Sequence, residues 1–239
     1  MEKDYYSAHY KGFVGELETY YENEIVQYHR QFGHMMSGFD KNARCLDLGC
    51  GVGNFVAYLN SQRFVHVTGI DTSAESIDIC KNKFPRYAFY QESISEYLVN
   101  NDETYDIISM FSIIEHLPKG NIIPLLSLIR SKLNKPDGTL IISTPNMCAL
   151  FGNTGGRYGD FTHTTGFTES SLRQCLLMAG FTAIQIEGPQ KKRSTLKQKI
   201  LYDIYQPIVL KLLKWFFISL GLEIPSIHGY TLFVHCKTP

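Results

Sequence analysis

The apolar positions of the first 145 residues switch repeatedly between two spacings. Short continuous apolar runs predict buried strands at residues 43–49, 64–71, 87–92, 105–112 and 138–145. Between these runs, apolar residues recur every three or four positions, which predicts helices near residues 53–62, 73–83, 94–100 and 120–133. Regular alternation of strand and helix is typical of an α/β protein with a doubly wound parallel sheet, which binds its ligand at the carboxyl ends of the strands.

The two ends of the chain add to this core. Residues 1–42 are aromatic-rich and helical in pattern, and we expect them to form a cap. A helix that begins at Thr168 is followed by a strand at residues 181–187, whose antiparallel partner is expected at residues 230–236. The segment between these two strands, residues 189–228, is a helical insertion. The prediction is one domain spanning residues 1–239, with its core at 43–188 and 229–239.

The most informative segment follows the first strand, where residues 46–53 read LDLGCGVG. Glycines at alternate positions allow a tight turn and close approach to a ligand, because no Cβ intervenes. Asp71 ends the second strand 20 positions after Gly51, which is the spacing of a carboxylate that binds ribose hydroxyls. Asn54 stands where a dinucleotide fingerprint requires glycine, and Asp47 would repel a pyrophosphate but suits a cationic ligand.

Charge and cysteine spacing narrow the class of protein further. The formal net charge is +0, with 23 basic and 23 acidic residues, so we expect no nucleic-acid partner. No cationic lead into an apolar stretch follows Met1, so no signal peptide is predicted. The six cysteines are scattered without C-x-x-C spacing, which is typical of reduced thiols in a cytoplasmic protein.

Residues 46–53 together with Asp71 resemble the class I S-adenosylmethionine-dependent methyltransferases. That resemblance implies a seven-stranded Rossmann-like sheet with an antiparallel terminal strand, and S-adenosyl-L-methionine as the cofactor, converted to S-adenosyl-L-homocysteine. The ribose would bind Asp71, the amino acid end would lie over the glycine turn, and adenine would meet Ser93 and Ile94. The full predicted cofactor set is Asp47, Gly49, Cys50, Gly51, Asp71, Thr72, Ser93, Ile94 and Phe111. Phe111 suits a core position as well as the cofactor pocket.

The fourth strand leads into Glu115-His116, a pair that resembles the corresponding segment of ubiquinone-pathway O-methyltransferases. His116 is a candidate general base for a hydroxyl acceptor, and the alternative is that it only caps the following turn. Glu115 offers one metal-ligating carboxylate without a second acidic residue nearby, so no metal is predicted.

Residues 155–168, GGRYGDFTHTTGFT, resemble a segment of bacterial methyltransferases of O-antigen, capsule and other surface-polysaccharide pathways. By that resemblance Arg157, Tyr158 and Asp160 are candidate acceptor-binding residues, with Arg157 suited to an anionic group such as phosphate. His163 is the second catalytic candidate. The alternative is that Asp160 and His163 hydrogen-bond one another and only fix the loop.

The insertion combines a basic stretch that begins at Lys191 with a helix that begins near Pro207 and carries a wide apolar face. Two hypotheses account for it. The first is a helix that lies on the inner surface of a membrane, and the second is packing against the N-terminal cap or a second subunit, which base rates for amphipathic helices favour.

The sequence therefore predicts a methyltransferase, EC class 2.1.1, that O-methylates a sugar, nucleotide-linked or phosphorylated precursor of surface glycans. Two alternatives remain open: an O-methyltransferase of an aromatic or quinone-type molecule, and a catalytically silent cofactor-binding subunit. A third, an NAD-dependent dehydrogenase, is less favoured because Asn54 replaces a glycine of the dinucleotide fingerprint.

Overall fold

The computed structural model describes residues 17–134, 136–150, 152–223 and 225–239. Its seven strands are β1 (Arg44–Leu48), β2 (His66–Asp71), β3 (Ala88–Gln91), β4 (Ile107–Phe111), β5 (Thr139–Pro145), β6 (Thr182–Glu187) and β7 (Thr231–Lys237). Its α-helices are α1 (Leu17–Met36), α2 (Asn54–Ser61), α3 (Ala74–Lys83), α4 (Ile94–Asn100), α5 (Lys119–Ser131), α6 (Thr154–Tyr158), α7 (Glu169–Met178), α8 (Leu196–Ile200) and α9 (Gln206–Ser219).

The strands form one mixed sheet in the order β3-β2-β1-β4-β5-β7-β6. Strands β1 to β5 run parallel, and β7 is antiparallel to both β5 and β6. The strand order reverses beside β1, so the loops after β1 and β4 diverge there and leave room for a ligand. The predicted fold class, with its antiparallel terminal strand, is confirmed.

Two apolar layers lie between the sheet and the helices that cover it. One contains Leu46, Ile108 and Leu140 from the central strands together with apolar residues of α5 and α7, and the other contains Phe55 and Tyr58 of α2. The central strands are buried on both faces, because helices cover both sides of a parallel sheet, and this explains their continuous apolar runs.

Helix α1 packs beside the turn that follows β1. The Tyr21 hydroxyl donates a 2.6 Å hydrogen bond to the Val52 carbonyl, and Asn54 donates one of 3.0 Å to the Tyr20 hydroxyl. The described part of the predicted cap therefore lies against the edge of the sheet where the ligand was expected. The part of the cap before Leu17 lies outside the described residues.

The structure differs from the sequence predictions at several boundaries. Strand β4 begins at Ile107 rather than at 105, because Tyr105 pairs in an isolated bridge with Leu133 instead of extending the ladder. The segment between β5 and α7, for which the sequence analysis gives no secondary structure, contains the short helix α6, and its ends are joined by a bridge between Asn146 and Phe167. Asn153 starts α6 by accepting the Gly156 backbone N–H, a capping signal within the glycine-rich segment that the prediction overlooked.

Candidate active site

The glycine turn after β1 forms the floor of a cleft at the carboxyl edge of the sheet. Gly49 and Gly51 have φ angles of 70° and 51°, a region that disfavours residues with a Cβ. A Cβ at Gly49 would lie 2.3 Å from Cδ1 of Ile113, so this position also requires glycine for space. The backbone is thereby exposed to the cleft without a side chain above it.

Asp71 is held rigidly beside this turn at the end of β2. Its Oδ2 accepts a 2.8 Å hydrogen bond from the Gly51 backbone N–H, and its Oδ1 accepts one of 2.8 Å from that of Ser73. Each carboxylate oxygen keeps a further lone pair, because an ionised carboxylate offers about four acceptor positions. The carboxylate is thus oriented to accept two adjacent hydroxyl groups at once.

The cleft beside Asp71 has a volume of about 370 Å³. Eight of the predicted site residues line it: Gly49, Gly51, Asp71, Thr72, Ser93, Ile94, Phe111 and His116. Phe111 also packs on Phe55, with 4.7 Å between the ring centroids, so it serves the core and the cleft together. A larger groove of about 890 Å³ opens at the opposite edge of the sheet, where the glycine turn and the predicted site residues do not contribute.

Asp47 and Cys50 lie beneath the turn rather than on the wall of the cleft. Asp47 is 3% exposed and accepts a 2.7 Å hydrogen bond from the Ser109 hydroxyl. Burial, with a smaller contribution from the nearby charge of Asp71, raises the pKa of Asp47 to about 7. The Cys50 thiol is buried near Cys80, so only its backbone is available to a ligand. The cofactor-binding roles of both residues stay predictions.

The raised pKa of Asp47 makes stability depend on pH. The folded protein keeps this proton up to about pH 7, whereas the unfolded chain loses it near pH 4, so this group lowers stability as pH rises between those values. We expect Asp47→Asn to remove that loss and to be more stable than wild type at pH 8, by on the order of 1–4 kcal/mol, with little difference near pH 4. Urea unfolding at both pH values measures this.

Asp78→Asn, on the exposed surface of α3, is the matched control and should unfold like wild type at both pH values. An Asp47→Asn variant that is no more stable than wild type at pH 8 would contradict the raised pKa.

His116 also lines the cleft, in a 3₁₀ helix at Ile114–His116. Its Nδ1 is 2.8 Å from the Thr162 hydroxyl, which also donates a 2.6 Å hydrogen bond to Oδ1 of Asp160. Burial, with a contribution from His163, lowers the pKa of His116, so its imidazole is neutral near pH 7. The structure thus brings His116 and Asp160 into one hydrogen-bonded unit through Thr162, a residue that sequence reasoning missed.

His163 lies beside His116, with 4.7 Å between the ring centroids. Its Nδ1 is 2.6 Å from the Gly156 carbonyl, and its Nε2 is 3.9 Å from Oδ2 of Asp160. The contact with Gly156 attaches the loop to itself, whereas the 3.9 Å separation from Asp160 is too long for the direct hydrogen bond of the alternative hypothesis. The loop also places a second imidazole against His116, so the two catalytic candidates form one cluster.

Arg157 and Tyr158 have other surroundings. The Arg157 guanidinium donates to the backbone carbonyls of His163 and Thr164, and it also lies over the Tyr158 ring, 5.2 Å from its centroid. Tyr158 is 77% exposed. Arg157 therefore has a structural task in this loop, and its predicted contact with an anionic acceptor would use only its remaining donors.

Glu115 attaches the loop at residues 155–168 to the 3₁₀ helix. Its backbone carbonyl accepts hydrogen bonds of 2.9 Å from the N–H groups of both Thr164 and Thr165. Its buried carboxylate accepts one of 3.0 Å from the Thr144 hydroxyl, and burial raises its pKa to about 7. The candidate ligand atoms of Glu115, His116 and His163 lie within 4.8 Å of one another, so they could hold a metal ion. This set was not predicted, because His163 is distant in sequence from Glu115 and His116.

A glycine turn and a fixed carboxylate at the edge of a doubly wound sheet define the class of nucleoside-binding α/β proteins. Within that class, residues 20–186 match the family described as methyltransferase domain, and the chain belongs to this family.

Similar proteins agree with this assignment. The ubiquinone biosynthesis O-methyltransferase of Vibrio cholerae is 30% identical over 161 residues, which cover 61% of this chain and 62% of that protein. The match therefore spans less than two thirds of that curated relative. Among solved structures, an S-adenosylmethionine-dependent methyltransferase from Archaeoglobus fulgidus is 23% identical, has a TM-score of 0.66 and covers 98% of this chain and 100% of its own.

The fold is shared with an enzyme named for a different acceptor. Phosphoethanolamine N-methyltransferase 2 of Haemonchus contortus, solved with S-adenosyl-L-methionine, has a TM-score of 0.60 and 18% identity, with 91% of this chain and 52% of that chain covered. The fold alone therefore leaves the acceptor open, and the acceptor has to be argued from the site.

Proposed function

We propose that this methyltransferase transfers the methyl group of S-adenosyl-L-methionine to a hydroxyl group of a sugar, nucleotide-linked or phosphorylated precursor of surface glycans. The observation that carries the proposal is the position of His116 on the cleft, where Thr162 links its imidazole to Asp160 through two hydrogen bonds. A base at this position assists transfer to a hydroxyl, whose proton has to leave as the new bond forms.

The residues of the cleft fit this cofactor. Asp71 offers two carboxylate oxygens to the ribose hydroxyls, and Gly49 leaves space in which a Cβ would collide with Ile113. Ser93 and Ile94 line the cleft beyond Asp71, where the adenine ring is expected. The cofactor, when bound, supplies an activated methyl group, so the protein's main task is alignment.

The chain's own residues position the acceptor and its proton. His116 receives the hydroxyl proton as a neutral imidazole, and Asp160 then stabilises the positive charge through Thr162. Although burial opposes its ionisation, the hydrogen bonds from Thr162 lower the pKa of Asp160, so it is charged at neutral pH. Thr164 and Thr165, bound to the Glu115 carbonyl, keep this loop against the cleft.

Two features support a glycan precursor as the acceptor. The loop that presents Asp160, Thr162 and His163 is polar and resembles that of surface-polysaccharide methyltransferases. Hydroxyl-rich acceptors need such groups, because each unpaired hydroxyl in a closed site costs binding energy. The pathway would place the enzyme in the cytoplasm, where activated sugar precursors are made.

A second candidate is an aromatic or quinone-type hydroxyl acceptor. Ile113, Leu117 and Leu125 give one wall of the cleft an apolar surface that suits a flat ring. The name of the Vibrio cholerae relative points the same way. A phenolic hydroxyl loses its proton more readily than a sugar hydroxyl, so such an acceptor would depend less on His116.

The deciding experiment measures S-adenosyl-L-homocysteine formation with nucleotide sugars, sugar phosphates and catechol-type phenols. We expect turnover with a sugar-containing acceptor, at least tenfold lower in Thr162→Val, which removes the hydroxyl between His116 and Asp160. Turnover of phenols alone would favour the second candidate. Cofactor binding without turnover of any acceptor class would favour a silent binding subunit.

A further inference from the structure

The insertion between β6 and β7 projects from the sheet as an arm, which we define as residues 189–228. Within it, α8 continues through a π-helical turn at Leu201–Tyr205 into α9, so the chain is helical from Leu196 to Ser219. No residue of these three segments is buried. The arm contacts α1 at its base, where the Gln190 backbone N–H donates a 2.8 Å hydrogen bond to Oε1 of Gln31. Packing against the part of the predicted cap before Leu17 lies outside the described residues. The described part of the chain contains no helix long and apolar enough to cross a membrane.

One exposed face of the helices of the arm is apolar along its length. Leu201, Tyr205, Ile208, Leu212 and Trp215 follow one another at steps of three or four residues and therefore share one face. Their exposed fractions lie between 48% and 72%. Tyr202, Leu210, Leu213 and Phe217 belong to a different face and are only half-exposed. Exposure of such an apolar stripe to water is unfavourable, and it indicates an interaction surface.

The charge of the arm is opposite to that of the rest of the chain. Residues 189–228 carry seven lysines and arginines against two acidic residues, whereas the remaining residues carry 16 basic and 21 acidic side chains. Arg193 is paired with Asp203 at 3.1 Å. The lysines at 192, 197, 199, 211 and 214 form no ion pair with the described residues. An exposed apolar stripe flanked by lysines complements a surface that is anionic outside and apolar inside.

The arm leaves the sheet at the same edge as the cleft. It follows the end of β6 at Glu187 and returns to the start of β7 at Thr231, which pairs with Pro145 at the carboxyl end of β5. Near its end, the His228 carbonyl accepts a hydrogen bond of 3.3 Å from the backbone N–H of Leu150, in the segment that leads to the loop at residues 155–168. A surface bound by the arm would therefore lie on the side of the molecule where the acceptor enters.

We propose that the arm docks the enzyme on an anionic lipid bilayer, with the stripe among the headgroups and acyl-chain ends and the lysines against the phosphates. A second copy of the chain is the rival occupant. Pairing two arms through their stripes would bring two net positive segments together, which opposes association at low salt. An anionic bilayer neutralises the same charges. The docking rests on the arm alone, so it is testable without any acceptor.

The experiment uses the full chain with vesicles of phosphatidylcholine alone or mixed in equal parts with phosphatidylglycerol. We expect sedimentation with the mixed vesicles at least tenfold stronger than with neutral ones, and weaker as salt rises. Trp215, the single tryptophan of the chain, reports directly on contact. Its emission should shift to shorter wavelength on the anionic vesicles and be quenched by brominated acyl chains.

Leu212→Glu should lower vesicle binding at least tenfold. The matched control is Val99→Glu on α4, because both side chains are 65% exposed on a helix surface and the same charge is introduced. The control should bind like wild type, and both variants should keep wild-type cofactor binding and thermal unfolding. Wild type that neither sediments with anionic vesicles at low salt nor shifts its tryptophan emission would overturn the proposal. Concentration-dependent dimers lost in Leu212→Glu, without vesicle binding, would identify a second copy as the occupant.

Discussion

Asp71→Ala is expected to weaken binding of S-adenosyl-L-methionine and S-adenosyl-L-homocysteine by ~10²-fold or more. The substitution would remove the two charge-assisted hydrogen bonds that we propose between this carboxylate and the ribose, each worth about 1.5–3 kcal/mol. It also releases the Gly51 and Ser73 backbone N–H groups that the carboxylate holds, so the glycine turn loses its anchor. Titration calorimetry with both ligands measures the loss.

The control for this substitution is Asp78→Ala, which removes an exposed carboxylate from α3 and should bind both ligands like wild type. Asp71→Asn gives a second comparison, because the amide can still accept one hydrogen bond but has no charge. Its affinity should lie between those of wild type and Asp71→Ala. Unchanged affinity in the alanine variant would mean that the ribose binds elsewhere and that the glycine turn has another ligand.

His116→Gln is expected to lower kcat by ~10²–10⁴-fold for a hydroxyl acceptor and to leave the affinity for S-adenosyl-L-homocysteine nearly unchanged. Glutamine preserves a polar contact with Thr162 but cannot accept the acceptor's proton. The wild-type rate should fall on the acid side, below neutrality, because protonation of His116 removes the base and burial has lowered its pKa. Rates measured from pH 5 to 8 record this decrease.

The control is His66→Gln, at the exposed start of β2, which should keep wild-type kcat and the same pH profile. His163→Gln separates the two imidazoles. If His163 were the base, this variant would show the large loss and His116→Gln only a small one. If the rate of His116→Gln still fell at low pH as in wild type, the group that titrates would be one other than His116.

The glycine turn and Asp71 were predictable because both depend on local chemistry. Positive φ angles at Gly49 and Gly51 require glycine at those positions, and the β1–α2–β2 unit fixes the spacing to the carboxylate. The parallel strands were predictable for a similar reason, since burial on both faces produces continuous apolar runs. These signals lie within about thirty residues of one another and do not depend on distant packing.

The hydrogen-bonded cluster around His116 was less predictable from the sequence. Thr162 joins Asp160 to His116 across 46 positions of sequence, and no periodic pattern records such a contact. The burial of Asp47 below the turn depends on β4, whose Ser109 contacts it from the neighbouring strand. The arm was expected to pack against the N-terminal cap or a second subunit, because an amphipathic helix usually buries its apolar face, and a periodic pattern does not record which surface covers that face.

The attachment of the arm has an evolutionary consequence. Strands β6 and β7 are adjacent and antiparallel, with Glu187 opposite Phe233, so the arm is an elaborated hairpin connection. The helical part of the arm, Leu196–Ser219, contains no buried residue, so exchanging that part would leave the hydrogen-bond ladder and the glycine turn in register. Related transferases can therefore differ in this connection, and in what it binds, while they keep the same sheet and the same glycine turn.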